Sequence, residues 1–160
     1  MAKETKTNVM RVLEQQAIPY QAHYYAHEEG VAVDGVTVAQ TLGQDVEQVF
    51  KTLVARGASK GVYVFVIPVA ESLDLKKAAR AVGEKSIEMV HVKEIQALTG
   101  YIRGGCSPVG MKKQYPTVFH ETAEIVDTIM VSGGRIGSQV ALDPAALLAL
   151  VGAATADLIV

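Results

Sequence analysis

Residues 49–70 read VFKTLVARGASKGVYVFVIPVA. Two runs, Val49 to Ala55 and Val62 to Ala70, are rich in β-branched and aromatic residues, and the RGASKG between them supplies two glycines suited to a reversal. The pattern predicts a β-hairpin. In the first run Val49, Lys51, Leu53 and Ala55 share one face of the strand and Phe50, Thr52 and Val54 the other. Both faces are therefore mainly apolar, and Lys51 stands where burial is expected. A buried ammonium is costly unless it meets an anion or a polar cavity. The other reading is an ammonium that snorkels from a strand end, and the residues alone favour neither.

Working outward towards the N-terminus, Val9, Val12, Leu13 and Ala17 fall at helical spacing within Thr5 to Ala17, and Pro19 stops that pattern. IPYQAHYYA (18–26) reads as a strand, HEEGVAVDG as a loop, and VTVAQTLG (36–43) as a short helix closed by Gly43. Beyond the hairpin, Asp74 can cap a helix in which Leu75, Ala78, Ala79 and Val82 share a face, with Gly83 ending it. Lys76, Lys77 and Arg80 share a second face of that helix. KSIEMVHV (85–92) then reads as a strand and KEIQALTG (93–100) as a short helix. PTVFHE (116–121), TIMVS (128–132) and SQVAL (138–142) are short strands, and DPAALLALVG (143–152) is a helix with Asp143 as cap and Pro144 in its first turn. Strands outnumber helices and are mostly hairpin-connected, which predicts an α+β domain whose mixed sheet is curved or barrel-like and flanked by helices.

The chain has 160 residues, 49% of them hydrophobic, enough to close a core in one domain spanning residues 1–160. The opening MAKETKTNVMRVLEQQ is polar where a signal peptide is apolar, and no later run reaches a membrane-spanning length. A soluble, cytoplasmic protein without membrane contact is expected. The single cysteine, Cys106, forms no intramolecular disulfide, and no metal-ligand spacing appears. Neither a metal nor a cofactor is expected.

Charge is segregated along the chain. Residues 1–50 carry three basic and seven acidic side chains, residues 51–113 eleven and five, and residues 114–160 one and five. The net charge of -2 thus conceals a central basic segment, and such a surface attracts phosphates through its local potential. Ordinary surface lysines on a solvated helix are the simpler account of the charge taken alone.

Two glycine loops, RGGCSPVG (103–110) and SGGRIG (132–137), match neither of the standard phosphate-loop or dinucleotide-loop patterns. They supply backbone without side chains, where a ligand can approach and amide N–H groups can face an anion. Cys106 lies in the first of them, but none of His23, His27, His91 and His120 stands in a cysteine-hydrolase pattern that would make it a thiolate. A small buried residue is the better reading.

VFKTLV, LDLKKAARAVG, GYIRGGCSPVGMKK and VSGGRIG, in this order and at these intervals, resemble the YbaK/EbsC family of bacterial Cys-tRNA(Pro) deacylases, relatives of the editing domain inserted in some prolyl-tRNA synthetases. The resemblance runs from about Ile18 to the last helix. It implies a mixed, barrel-like sheet with surrounding helices, and a hydrolase acting in trans on cysteine mischarged onto tRNA(Pro). Removal of another small amino acid such as alanine, or a non-catalytic tRNA- or synthetase-binding module, are the alternatives.

Carried over by position, the resemblance puts the essential lysine at Lys51 and a functional tyrosine at Tyr25. It puts the first loop at Gly104, Gly105, Ser107 and Pro108, and the second at Ser132, Gly133 and Gly134. Lys51, Gly104 and Gly105 are expected to serve the chemistry and the others to bind substrate. Lys76, Lys77 and Arg80 are expected to hold the tRNA acceptor end, with prolyl-tRNA synthetase as a further candidate partner. Cys106 falls at a variable position without an assigned duty. The implied route uses the substrate's own thiol, so orientation carries much of the rate. The second loop departs from the family pattern at Arg135-Ile136-Gly137-Ser138-Gln139, which lacks one basic and one acidic group; neighbouring subfamilies of this fold act on alanine and other amino acids.

Overall fold

The computed structural model describes residues 6–160. The hairpin is its centre: β2 (Phe50–Gly57) pairs antiparallel with β3 (Val62–Pro68), from Phe50 opposite Pro68 to Arg56 opposite Val62. Upstream of it lie α1 (Asn8–Gln15), β1 (Tyr20–Tyr24) and α2 (Gly35–Thr41). Downstream follow α3 (Leu75–Val82), β4 (Ile87–Met89), α4 (Val92–Thr99), β5 (Thr117–His120), β6 (Ile129–Ser132), β7 (Ser138–Leu142), α5 (Pro144–Val151) and β8 (Ala154–Ala156).

The strands form two sheets. One has the order β4-β2-β3-β5-β8, with β5 and β8 joining in parallel; the other is antiparallel, with the order β1-β7-β6. A single parallel bridge, Val49 to Met130, links them. The five-stranded sheet is mixed, as expected, and the strands remain two pieces with no closed barrel among the described residues.

Strand alternation explains the layering. Phe50 and Val54 with Val64 and Val66 point to a core shared with Val9, Met10 and Leu13 of α1, Val131 and Val140 of the second sheet, and Leu147 of α5. Ala55, Phe65 and Ile67 point the other way, onto Ala78 and Ala79 of α3. Complete burial of Phe65 stabilises by roughly 2–3 kcal/mol. With both faces covered, the hairpin carries apolar residues at nearly every position, and this made it legible as sequence.

The helix boundaries follow the predicted caps. The Asp74 carboxylate accepts from the amides of Lys76 and Lys77, and Asp143 from that of Ala146; Gly83 and Gly152 end their helices at φ 72° and 62°. The N-terminal helix is shorter than the expected 5–17. Thr7 caps it by accepting from the Met10 amide, and Thr5 lies outside the described residues. The 85–92 strand shrinks to three residues because His91 and Glu94 form the capping box of α4. No sequence signal pointed to β8, a three-residue edge strand.

Candidate active site

Where β2 leaves the sheet seam at Val49, the loop before α2, the 103–106 loop and the start of β7 enclose a cleft of about 540 Å³. It is lined by Lys51, Thr52 and Leu53 of β2, by Tyr25 and Asp34 from the first third of the chain, by Arg103, Gly104 and Cys106, and by Ser132, Ser138 and Gln139. Four residues singled out in the sequence, at positions 25, 51, 104 and 132, therefore meet in one place, although 107 positions separate the first from the last.

Lys51 sits half-buried opposite Ile67, and among the described residues it has no carboxylate partner. Its strand neighbour Thr52 and the buried Ser138 each carry a side-chain hydroxyl with no hydrogen-bond partner within the protein. An unpaired buried hydroxyl costs about 1–3 kcal/mol. Three such hydroxyls occur among the described residues, and two of them, unlike that of Thr122, stand with an unpaired ammonium in the cleft, where water or a polar ligand has room to bond them. Neither hydroxyl was singled out from sequence, because the lack of a partner is a property of the folded surroundings and leaves no motif.

The two glycine loops work in an unexpected way. Gly105 does not line the cleft: its N–H donates to the Ile102 carbonyl at 3.0 Å, and a Cβ there would stand 2.7 Å from the Arg135 Cα of the second loop. The glycine is required because the two loops press backbone to backbone. Gly104 takes φ 86°, and a Cβ on it would meet the Ala32 Cβ at 2.6 Å. Gly104 lines the cleft, and its N–H makes no hydrogen bond among the described residues.

Ser132 lines the cleft, and its hydroxyl accepts from the Gly134 amide at 3.1 Å, so its own proton remains to be donated. Gly133 and Gly134 shape that turn from behind the wall; Gly133 has no room for a side chain against Ser138. Ser107 and Pro108 are also buried behind the wall, where the Ser107 hydroxyl accepts from the Val109 amide. The backbone N–H of Tyr25 donates to the Gly137 carbonyl at 3.0 Å, fixing the tyrosine against the second loop. Gln139 and Gln44 exchange hydrogen bonds of 2.7 and 3.0 Å across one wall, with Gln139 buried.

Cys106 reaches the cleft but is not poised for attack. Burial pushes its thiol up to about 11, with a contact to Thr99 only partly opposing that, and no histidine lines the cleft to take its proton. Among the described residues Asp34 is the one carboxylate in the lining, and it caps α2 by accepting from the amide of Thr37. The basic helix is elsewhere: Lys76, Lys77 and Arg80 do not line the cleft, and Lys77 is bound to Asp157 at 2.8 Å and to the carbonyl of Ile159.

Comparison with known proteins matches this architecture. The aminoacyl-tRNA editing domain matches residues 30–150. A proposed Cys-tRNA(Pro)/Cys-tRNA(Cys) deacylase from Enterococcus faecalis, EbsC, is 48% identical over 147 residues, which cover 92% of this chain and 89% of that protein. The crystal structure of a proposed trans-editing enzyme for prolyl-tRNA synthetase superposes with a TM-score of 0.81 at 29% identity, covering 96% of this chain and 95% of the other. A hypothetical protein of known structure shares the fold at a TM-score of 0.84 and 23% identity, with 95% and 99% covered.

Proposed function

The chain belongs to the aminoacyl-tRNA editing domain family, and from that premise we propose that it is a trans-acting hydrolase that removes cysteine mischarged onto tRNA(Pro). The observation that carries this reading is the convergence of an unpaired Lys51 with the unpartnered hydroxyls of Thr52 and Ser138 and the free N–H of Gly104 in one cleft. A single domain over the whole chain performs the reaction in the cytoplasm, on the acceptor end of tRNA(Pro), alongside prolyl-tRNA synthetase.

The chemistry follows from what the cleft offers and what it lacks. Among the described residues its one carboxylate is engaged as a helix cap, its cysteine is protonated at neutral pH, and no histidine lines it. A side-chain base ready to activate water is therefore missing from the lining, which favours a substrate that brings its own nucleophile. The cysteinyl sulfur attacks its own ester carbonyl, forming a C–S bond while the bond to the ribose oxygen breaks. The thiol proton goes to the departing ribose oxygen. Water then opens the resulting four-membered thiolactone and releases cysteine.

Lys51 holds the phosphate or ribose of the terminal adenosine. The Gly104 N–H, unpaired among the described residues, stabilises the oxygen on which negative charge develops. Tyr25, Ser132 and Ser138 orient the aminoacyl group. The exposed Lys76 and Arg80 contribute a longer-range attraction for the acceptor arm. The deciding experiment presents the protein with Cys-tRNA(Pro), Ala-tRNA(Pro) and Ser-tRNA(Pro) and follows release of the amino acid. Selective release of cysteine is expected. Equal or faster release from Ala-tRNA(Pro), which has no thiol, would replace the substrate-assisted route with one in which the protein activates water.

A further inference from the structure

We propose that a second groove, continuous with the cleft, carries the single-stranded nucleotides that immediately precede the terminal adenosine of the tRNA; this rests on the deacylase reading. The groove, of about 670 Å³, runs between the 30–32 loop, the first turns of α4 and residues 102–103. Ala32 and Arg103 line both it and the cleft, so a strand whose last residue occupies the cleft has one built exit.

The groove's surface has the two properties a flexible RNA strand needs. Val31, Val92 and Ile102 are 48%, 56% and 42% exposed. Three aliphatic side chains left in water beside one another provide apolar contact for the faces of unstacked bases. Lys93 and Arg103 stand among them, neither pairs with a carboxylate among the described residues, and no carboxylate lines the groove. The nearby Glu94 is turned to other work, in the capping box of α4 and in an ion pair with Arg56 at 3.2 Å. Apolar residues interleaved with free cations, and acid kept out, favour a chain with one phosphate per base over an acidic or apolar peptide, which would use only one of the two features. The groove also assigns the close contact with the RNA end to a different element from α3, whose basic residues line neither cavity.

Lys93→Glu and Val92→Asp test this, both at surface positions near a helix N-terminus where an acidic residue is tolerated. Binding of an uncharged, fluorescent acceptor minihelix ending in its three unpaired nucleotides is measured by anisotropy at several salt concentrations. Hydrolysis of Cys-tRNA(Pro) is measured alongside that of 3′-cysteinyl-adenosine, which is too short to enter the groove. For Lys93→Glu we expect binding weakened about ten-fold with a shallower salt dependence. The KM for the charged tRNA should rise, and turnover of cysteinyl-adenosine should stay at the wild-type value. Val92→Asp should weaken binding of the minihelix without affecting the short substrate. Wild-type binding by both variants, in a protein that hydrolyses Cys-tRNA(Pro), overturns the groove and leaves the deacylase standing. A wild-type protein that binds the minihelix through Lys93 yet releases no amino acid overturns the deacylase and leaves the groove. A wild-type protein that does neither overturns both.

Discussion

At the turn of the β2–β3 hairpin the polar side chains satisfy one another, whereas at its open end they do not. Glu84, just past the end of α3, accepts from the Ser59 amide at 3.1 Å, from the Ser59 hydroxyl, and from the Tyr63 hydroxyl at 2.6 Å. Hydrogen bonds from Ser59 and then Tyr63 hold the Glu84 carboxyl below the usual carboxylate range, and the same carboxylate raises the Tyr63 phenol. Eight residues before Ser59, at the other end of β2, Lys51 has no anion among the described residues and the Thr52 hydroxyl no partner. One hairpin thus holds a closed, internally balanced end and an end whose polar groups find no partner among the described residues. The difference separates residues that serve the fold from those to which the proposed function gives a ligand.

The sharpest way to break this contrast is Lys51→Ala. We expect deacylation of Cys-tRNA(Pro) to fall at least about a hundred-fold in kcat/KM, with a melting temperature equal to or above wild type, since a poorly solvated ammonium has been removed. Lys51→Arg should not restore activity, because a planar guanidinium does not fit where an ammonium does. Wild-type turnover in Lys51→Ala would move the site elsewhere.

Gly105→Ala should cost both properties together. Its Cβ would intrude on the backbone of Arg135, so the two loops must separate, at a cost of roughly 1–3 kcal/mol and with loss of cleft geometry. Full activity with an unchanged melting temperature would show that the loops are not tightly packed. Ser138→Ala separates what Gly105→Ala joins. Deleting a buried hydroxyl without a partner should stabilise the fold by about 1 kcal/mol and lower kcat/KM, a trade seen by denaturant melts and initial rates on one sample. If Ser138→Ala instead destabilises the protein, its hydroxyl is a structural group.

At the closed end, Glu84→Gln should lower the melting temperature at pH 7 by a few degrees and leave kcat/KM alone. A carboxyl held below its usual value in the folded state stabilises above its unfolded pKa and loses that contribution as pH falls through the folded one. The gap between wild type and Glu84→Gln should accordingly narrow below pH 4.5. The smallest effect is expected from Cys106→Ala, which should keep most of its activity. In the wild-type protein, iodoacetamide should label Cys106 slowly at pH 8 and quickly in denaturant, as a thiol pushed up to about 11 demands.

The same contrast explains what could be read from sequence. The hairpin, the Asp74 and Asp143 caps and the glycine helix ends were legible because each is decided within a few residues of chain, by periodicity or by one capping hydrogen bond. Lys51 was legible as a conflict, a charge in an apolar strand, and the resemblance gave that conflict a purpose. Thr52, Ser138 and Arg103 were not, since their significance depends on what the other sheet and the distant loops leave unsatisfied. Gly105 was legible as a place without room for a side chain, but its neighbour was not: it stands against Arg135 of the second loop. The split of the strands into two sheets and the three-residue β8 likewise follow from long-range pairing, which no local pattern encodes.

The reciprocal amide pair between Gln44 and Gln139 has a consequence for how the enzyme meets changing conditions. A carboxamide neither gains nor loses a proton across the pH range of a living cell, and each of these two uses the other's donor and acceptor. That wall of the cleft is an electrically silent brace, whereas an acid or a base in either position would have made its spacing a function of acidity and salt. Whatever dependence the enzyme has on pH or ionic strength then enters elsewhere than through this wall.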